Sequence, residues 1–310
     1  MICSIIKIEM NVMTQFIDAI SQDTGISSTA EVKLLDKSDH LYGLESKRYR
    51  IYPNSSSVNP IVKVQSWTDP QVPSTLNSAK TTLIENLIID GQNYTGMVGI
   101  LLDNVYNCWI RNLTIKNCDV GIKLKLTWGA WTEFSRIQHV RLENVKTGIL
   151  FTTDGPNHDV TGFPGNSTAF THIDDVGILL KNDSNAVGIQ VGDPNETDNT
   201  HIIDPYSAYI RANVWMQSAG GMGLQINRGN LQYGLINLAV EGPSNGVGIN
   251  VQYDNQDGTG SKIQPDQKFK RSDGSFSLGA FLTCGGISTS NHILASNPWK
   301  TNNPIDVKYY

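Results

Sequence analysis

The chain has 310 residues, of which 39% are hydrophobic and 17% charged, with a formal net charge of -5. That length can bury a sizeable core as one large domain or two ordinary ones. The acidic balance and the lack of any Lys/Arg block exclude the phosphate-neutralising surface of a nucleic-acid binder.

The opening stretch MICSIIKIEMNVM is interrupted by Lys7 and Glu9, which leaves it too short and too charged for a signal-peptide core or a membrane span. Next, MTQFIDAI sets Phe16, Ile17 and Ile20 at helical spacing and predicts a short helix. The four cysteines, Cys3, Cys108, Cys118 and Cys284, have neither CxxC spacing nor a neighbouring histidine pattern. Free, wholly or partly buried thiols are expected, not a zinc site or a disulfide framework. Six N-x-S/T sequons, from Asn54 to Asn195, are a number that an Asn-, Ser- and Thr-rich chain produces by chance, and they carry no weight for localisation.

From residue 86 onward two phrases alternate. One reads VGILL at 98, VGIKL at 120, TGILF at 147, VGIQV at 187, MGLQI at 222 and VGINV at 247; the other reads NLIIDG at 86, NLTIKN at 112, HVRLEN at 139, GILLKN at 177 and NLAVEG at 237, with ANVWMQ at 212 a poor member. The inward positions of the first are Ile100, Ile122, Ile149, Ile189, Leu224 and Ile249; those of the second are Ile89, Ile115, Leu142, Leu180, Val214 and Val240. Both series stretch together, from steps near 26 to steps near 40 and back. Each phrase alternates inward aliphatic with outward variable residues and closes on Gly or Asn, as a short strand ending in a positive-φ turn does. Self-similarity at this period, without helical stretches between, predicts a β-solenoid. NCWIRN at 107 reads as a further strand, with Cys108 and Ile110 inward and Asn112 at a corner; FSRIQH at 134 is its counterpart.

The stretch GILLDNVYNCWIRNLTIKNCDVGIKL resembles the right-handed parallel β-helix of the pectate-lyase-like superfamily, which includes polysaccharide lyases, polygalacturonase-type hydrolases, epimerases and viral tailspike depolymerases. The resemblance implies an all-β fold of about six to eight coils with a short N-terminal helical cap. It divides the chain into a cap and leading strand over 1–60, a β-helix over 61–255, and final coils with a C-terminal cap over 256–310. LYGLESKRYRIYP resembles the leading strand of such proteins, and Asn117 and Asn144, one coil apart, would stack as an amide ladder.

The links between strands are uneven: 11 residues after Leu102, 16 after Leu124, 27 after Phe151, 21 after Val191 and 12 after Ile226. Extra length always enters at one corner and in the middle coils, which would build a wall of loops beside a groove; surface insertions of this size are also well tolerated without a role. The loops hold Trp128 and Trp131, flat platforms for a pyranose or plugs for the loop's own small core. They also hold Asp154, His158 and Asp159, then the adjacent Asp174 and Asp175, and later Asp193, Glu196, Asp198, His201 and Asp204.

Glycoside hydrolysis uses two carboxyl groups, and Asp174 or Asp175 with Asp154 are the candidates. Because Asp174 and Asp175 alternate along a strand, only one is expected to face solvent. His158 and His201 would orient or protonate substrate, although loop histidines are commonly plain surface residues. Elimination would instead use a basic residue, with Lys123, Lys125 and Arg136 near the first loop, and the loop acids could hold Ca²⁺; otherwise no cofactor is expected. The His-Gly and Arg-Ile-Lys motifs of polygalacturonases and the Arg-rich signature of calcium-dependent pectate lyases are absent. The expected outward row Asp90, Lys116, Glu143, Lys181, Trp215 and Glu241 reads as a cross-strand charge ladder.

The reading is a polysaccharide-degrading enzyme, hydrolase before lyase; the alternative is a non-catalytic glycan-binding, virion attachment or structural β-helix. The expected partner is a polysaccharide or cell-surface glycan, with Trp128, Trp131, Lys125, Arg136 and His201 binding it and extracellular or virion-associated action fitting that partner. Tailspike relatives form trimers, so the resemblance admits a homotrimer.

Overall fold

Each repeat of the sequence becomes one coil shared by two sheets. The computed structural model describes residues 50–65, 82–127, 131–154, 167–193, 203, 205, 207–227, 234–243 and 247–248, and the backbone alone of strand segments at 21–22, 26–28, 34–35, 40–42, 49, 249–252, 281–285, 291–296 and 307–308. The helix expected over 13–20 lies outside the described residues, among which no α-helix occurs.

The first sheet runs through Tyr49–Pro53, Leu87–Asp90, Cys108–Lys116, Arg136–Val145, His172–Leu180, Tyr209–Trp215, Leu235–Glu241 and Phe281–Gly285. The second runs through Val62–Gln65, Val98–Asp103, Val120–Leu126, Thr147–Thr153, Val187–Val191, Met222–Ile226, Val247–Gln252 and Asn291–Ser296. Neighbours along both paths pair in parallel. The chain passes from one sheet to the other and back, one coil further along each time, which is a parallel β-helix.

Inward aliphatics stack from coil to coil. Ile100, Ile122, Ile149, Ile189 and Leu224 align in register on the second sheet, and all are fully buried. On the first sheet the aligned set is Ile89, Ile115, Leu142, Ile178, Val214 and Val240. The register places Ile178 where Leu180 was expected; Leu180 faces Val145, because the strand below carries an extra residue at Asn144. Each such side chain contributes on the order of 2 kcal/mol by leaving water.

The glycine of the V-G-I phrase has a packing reason. A Cβ on Gly188 would lie 2.5 Å from the carbonyl oxygen of Gly223 and 2.8 Å from Val214, and Gly99, Gly121, Gly148 and Gly223 meet similar barriers. The second sheet therefore turns so close to the first that only glycine fits.

The turn between the sheets is held by the expected amide ladder. Asn144 Nδ2 donates to Asn117 Oδ1 at 2.8 Å, and Asn117 Nδ2 donates to Asp90 Oδ1 at 2.9 Å. Both asparagines sit at positive φ, 56° and 54°, a conformation that Asn tolerates better than most residues. Asp90 is wholly buried and also receives Arg50 at 2.6 Å. It is therefore a ladder base rather than the solvated charge expected. The outward row next to it is Asp90, Lys116, Glu143, Leu179, Trp215 and Glu241. Leu179 replaces the expected Lys181, which instead bonds Asp119 at 2.8 Å.

Links from the second sheet back to the first occupy 104–107, 127–135, 154–171, 192–208 and 227–234. All leave the same corner, as the spacing predicts. Val176 is the register equivalent of Val140, so the third link is 25 residues (176 minus 151) instead of 27, and is still the longest.

Candidate functional site

On the outward face of the first sheet, side chains repeat at matching positions of successive coils. One row is Leu83, Trp109, Arg136, His172, Tyr209 and Leu235. Arg136 holds its guanidinium 5.0 Å over the Trp109 ring, a cation–π arrangement. His172 and Tyr209 meet edge to face at 4.5 Å. The Trp109 indole is fixed by a 3.0 Å bond from Nε1 to Asn107 Oδ1.

The neighbouring row carries charge. Arg111 Nε lies 2.6 Å from Glu85 Oε2, and Arg211 Nε lies 2.6 Å from Asp174 Oδ1. The second of these is an ion pair whose N–H is not aligned for a hydrogen bond. Beyond the row the strand bends at Asn86, Asn112, His139 and Asp175, all with φ between 52° and 59°. His139 Nδ1 and Asp175 Oδ2 are 2.6 Å apart.

This bend corrects one expectation. Asp174 and Asp175 do not alternate across the sheet: Ile173 and Val176 are the inward pair, and the left-handed residue Asp175 is an extra one between them. The coil above lacks it, so the two residues between Ile173 and Val176 face the single Arg211 between Ile210 and Ala212. Both carboxylates consequently point outward, Asp175 at the corner and Asp174 beneath Arg211.

Just ahead of the first-sheet strands, Tyr106, Phe134 and Phe170 form a column: Tyr106 and Phe134 meet tilted at 5.0 Å, and Phe134 and Phe170 stack at 4.7 Å. The sequence reading missed this column; its only signal was an aromatic residue two positions before each strand, Tyr106, Phe134 and Phe170.

A second polar cluster lies at the end of the second sheet. Lys125 Nζ contacts Asp154 Oδ2 at 2.5 Å, and Asp103 accepts from Thr127 Oγ1 at 2.6 Å. Burial, reinforced by Lys125, lowers the pKa of Lys123. Of the expected site residues, Lys125 and Asp154 thus meet each other. Arg136, Asp174 and Asp175 belong to the first sheet, and no contact joins Asp154 to Asp174 or Asp175. Trp131 is half-buried and bridges to Ser167. Trp128, His158 and His201 lie outside the described residues.

The family described as "Periplasmic copper-binding protein (NosD)" matches residues 8–170. No curated protein matches the chain. Among solved structures, the A-module of mannuronan C-5 epimerase AlgE6 from Azotobacter vinelandii is similar, at 11% identity over 88% of each chain with a TM-score of 0.34.

Copper, which the family's description names, does not fit the described residues. No group of three or more His, Cys, Asp or Glu among them is placed to hold a metal ion. Cys108 and Cys118 are buried free thiols. Burial raises both, and with help from Asp90 it pushes Cys118 up to about 12, whereas a metal needs the thiolate.

Proposed function

We start from the fact that this chain belongs to the NosD family, and we propose that it is a polysaccharide-binding β-helix whose glycan runs along the outward face of the first sheet. The observation that carries this reading is the row Trp109, Arg136, His172 and Tyr209, set on adjacent strands. Strands in a sheet are about 4.8 Å apart, so the row offers a polymer with a regular repeat one aromatic or cationic contact after another. Aromatic faces suit the apolar side of a sugar ring, and guanidinium and imidazole groups suit its hydroxyls. Rigid strands hold these contacts in place before binding, which keeps the ordering cost low.

Recognition without cleavage is the primary reading because the outward acids already have partners, Asp174 the guanidinium of Arg211 and Asp175 the imidazole of His139. A glycosidase needs one carboxyl held as a proton donor. Hydrolysis is the second reading, favoured by the bend at Asp175 that turns both carboxylates onto the surface bearing His139 and His172. In that reading one carboxyl of the Asp174–Asp175 pair donates the proton and the other activates water or attacks.

Co-sedimentation of the full chain with insoluble polysaccharides, combined with a reducing-end assay on soluble ones, tests the proposal. Binding is expected with neither reducing ends nor the absorbance of an unsaturated uronate. Reducing ends released by the wild type and abolished in Asp174→Asn/Asp175→Asn would establish the hydrolase instead.

A further inference from the structure

The outward rows beyond the Asp175 bend contain a hollow that none of the expected site residues lines. Its floor is Gly177, which stands between Arg141 and Asn213 in register. One wall is Trp215, on the next coil and 40% exposed; Leu179, Arg141 and Leu142 complete it. Trp215 leans back across its neighbour coil, so that a Cβ on Gly177 would lie 3.4 Å from its Cζ3 and 4.0 Å from its Cη2. The indole is anchored there by a 3.0 Å bond from Nε1 to Glu241 Oε2.

Gly177 differs from the glycines of the second sheet. Gly99, Gly121, Gly148, Gly188 and Gly223 sit where a Cβ would strike backbone within 2.7 Å. Gly177 would accept a methyl group at ordinary contact distance, so neither packing nor a left-handed φ explains its missing side chain. Glycine costs a strand roughly 0.5–1 kcal/mol, and what it leaves here is open space beside an exposed indole.

We propose that this hollow is a subsite for one neutral pyranose unit, whose apolar face packs on Trp215 above Gly177 and Leu179. The proposal rests on the reading that a glycan occupies the first sheet. The hollow holds about 100 Å³, well under the roughly 300–1,000 Å³ of a pocket that encloses a whole ligand. It therefore suits one ring of a longer chain. The surroundings select the neutral class: Arg141, the one charged side chain of the lining, is bound at 2.7 Å to Glu143, while Glu143 and Glu241 flank Leu179 and Trp215 in register, so two carboxylates stand around one guanidinium. A uronate would meet net repulsion from those neighbours, whereas the apolar face of a neutral ring meets the indole and Leu179.

Titration calorimetry of the full chain with cellohexaose, mannohexaose, xylohexaose and hexagalacturonic acid tests this, using wild type, Trp215→Ala, Gly177→Val and Trp109→Ala. A neutral hexasaccharide is expected to bind the wild type and to bind Trp215→Ala and Gly177→Val about tenfold more weakly, the loss of one aromatic anchor. Melting temperatures should stay close to wild type, since Trp215 is exposed and valine suits a strand. If Trp109→Ala weakens binding while both hollow variants bind as wild type, the subsite is overturned and the glycan-binding reading stands. Binding of hexagalacturonic acid alone overturns the neutral class. If no oligosaccharide binds the wild type, the glycan-binding reading falls and the subsite with it.

Discussion

Gly188 and Gly177 lack a side chain for opposite reasons, and substitution separates them. Alanine at Gly188 must push a Cβ to within 2.5 Å of the Gly223 carbonyl. Overpacking of this kind costs about 1–3 kcal/mol, so Gly188→Ala should lose that much stability in urea denaturation. Gly177→Ala meets nothing closer than 3.4 Å and should be neutral or gain up to about 1 kcal/mol. The sequence showed both residues in the same V-G-I phrase, Gly177 in VGILL at 176 and Gly188 in VGIQV at 187. It could not show which glycine faces a backbone and which faces water, because that depends on the coil above. A second residue-scale expectation concerns acid. Asp119 is pulled upward by burial, but the bonds from Lys181 and the Gly96 N–H outweigh this and lower it below the ordinary 3.8; the Asn185 N–H, then Lys146, lower Asp183. A carboxylate depressed in the fold stabilises it above the unfolded value and loses that contribution as pH falls through the folded one. Melting temperature should therefore drop on acidification below about pH 4, with a shallower drop in Asp119→Asn than in the wild type.

At the scale of elements, the turn after the first sheet is specified by side chains as much as by backbone. Asn117 both occupies a left-handed conformation and links Asp90 to Asn144. Asn117→Ala should cost about 2–3 kcal/mol, since it loses these bonds and strains the backbone. Asn117→Gly should recover about 1 kcal/mol of that by removing the strain. Thermal melts of the two variants measure the division. This ladder was legible in the sequence because the two asparagines fall one coil apart in matching phrases. The strand that follows was not. GILLKN matches HVRLEN by letters, yet the chain places Ile178 over Leu142, since Asn144 has no counterpart in the upper coil. Likewise, Asp175 has no counterpart in the Tyr209–Trp215 strand. One-residue insertions at left-handed corners shift register without disturbing composition or periodicity, so only the paired strands reveal them.

For the molecule as a whole, the β-helix follows directly from repetition, and the surface it presents follows from which positions repeat outward. Trp109, Arg136, His172 and Tyr209 are scattered over a hundred residues of sequence with intervals of 27, 36 and 37. Loops of unequal length separate them, so no motif search joins them; stacking the coils does. The corner from which the uneven links leave was legible too, and the described strand ends share it. The candidate carboxylates proved to be divided, Asp154 at the end of the second sheet and the Asp174–Asp175 pair on the first. Recognition along the first sheet is therefore the central claim. It is tested most directly by polysaccharide co-sedimentation of wild type against Trp109→Ala/Arg136→Ala. Both side chains are outward and partly exposed, so the double variant should stay folded, with an unchanged circular dichroism spectrum. Retention on the polysaccharide should fall by at least about tenfold, the loss expected on removing a central aromatic–guanidinium pair. Undiminished retention by the folded double variant would contradict the account.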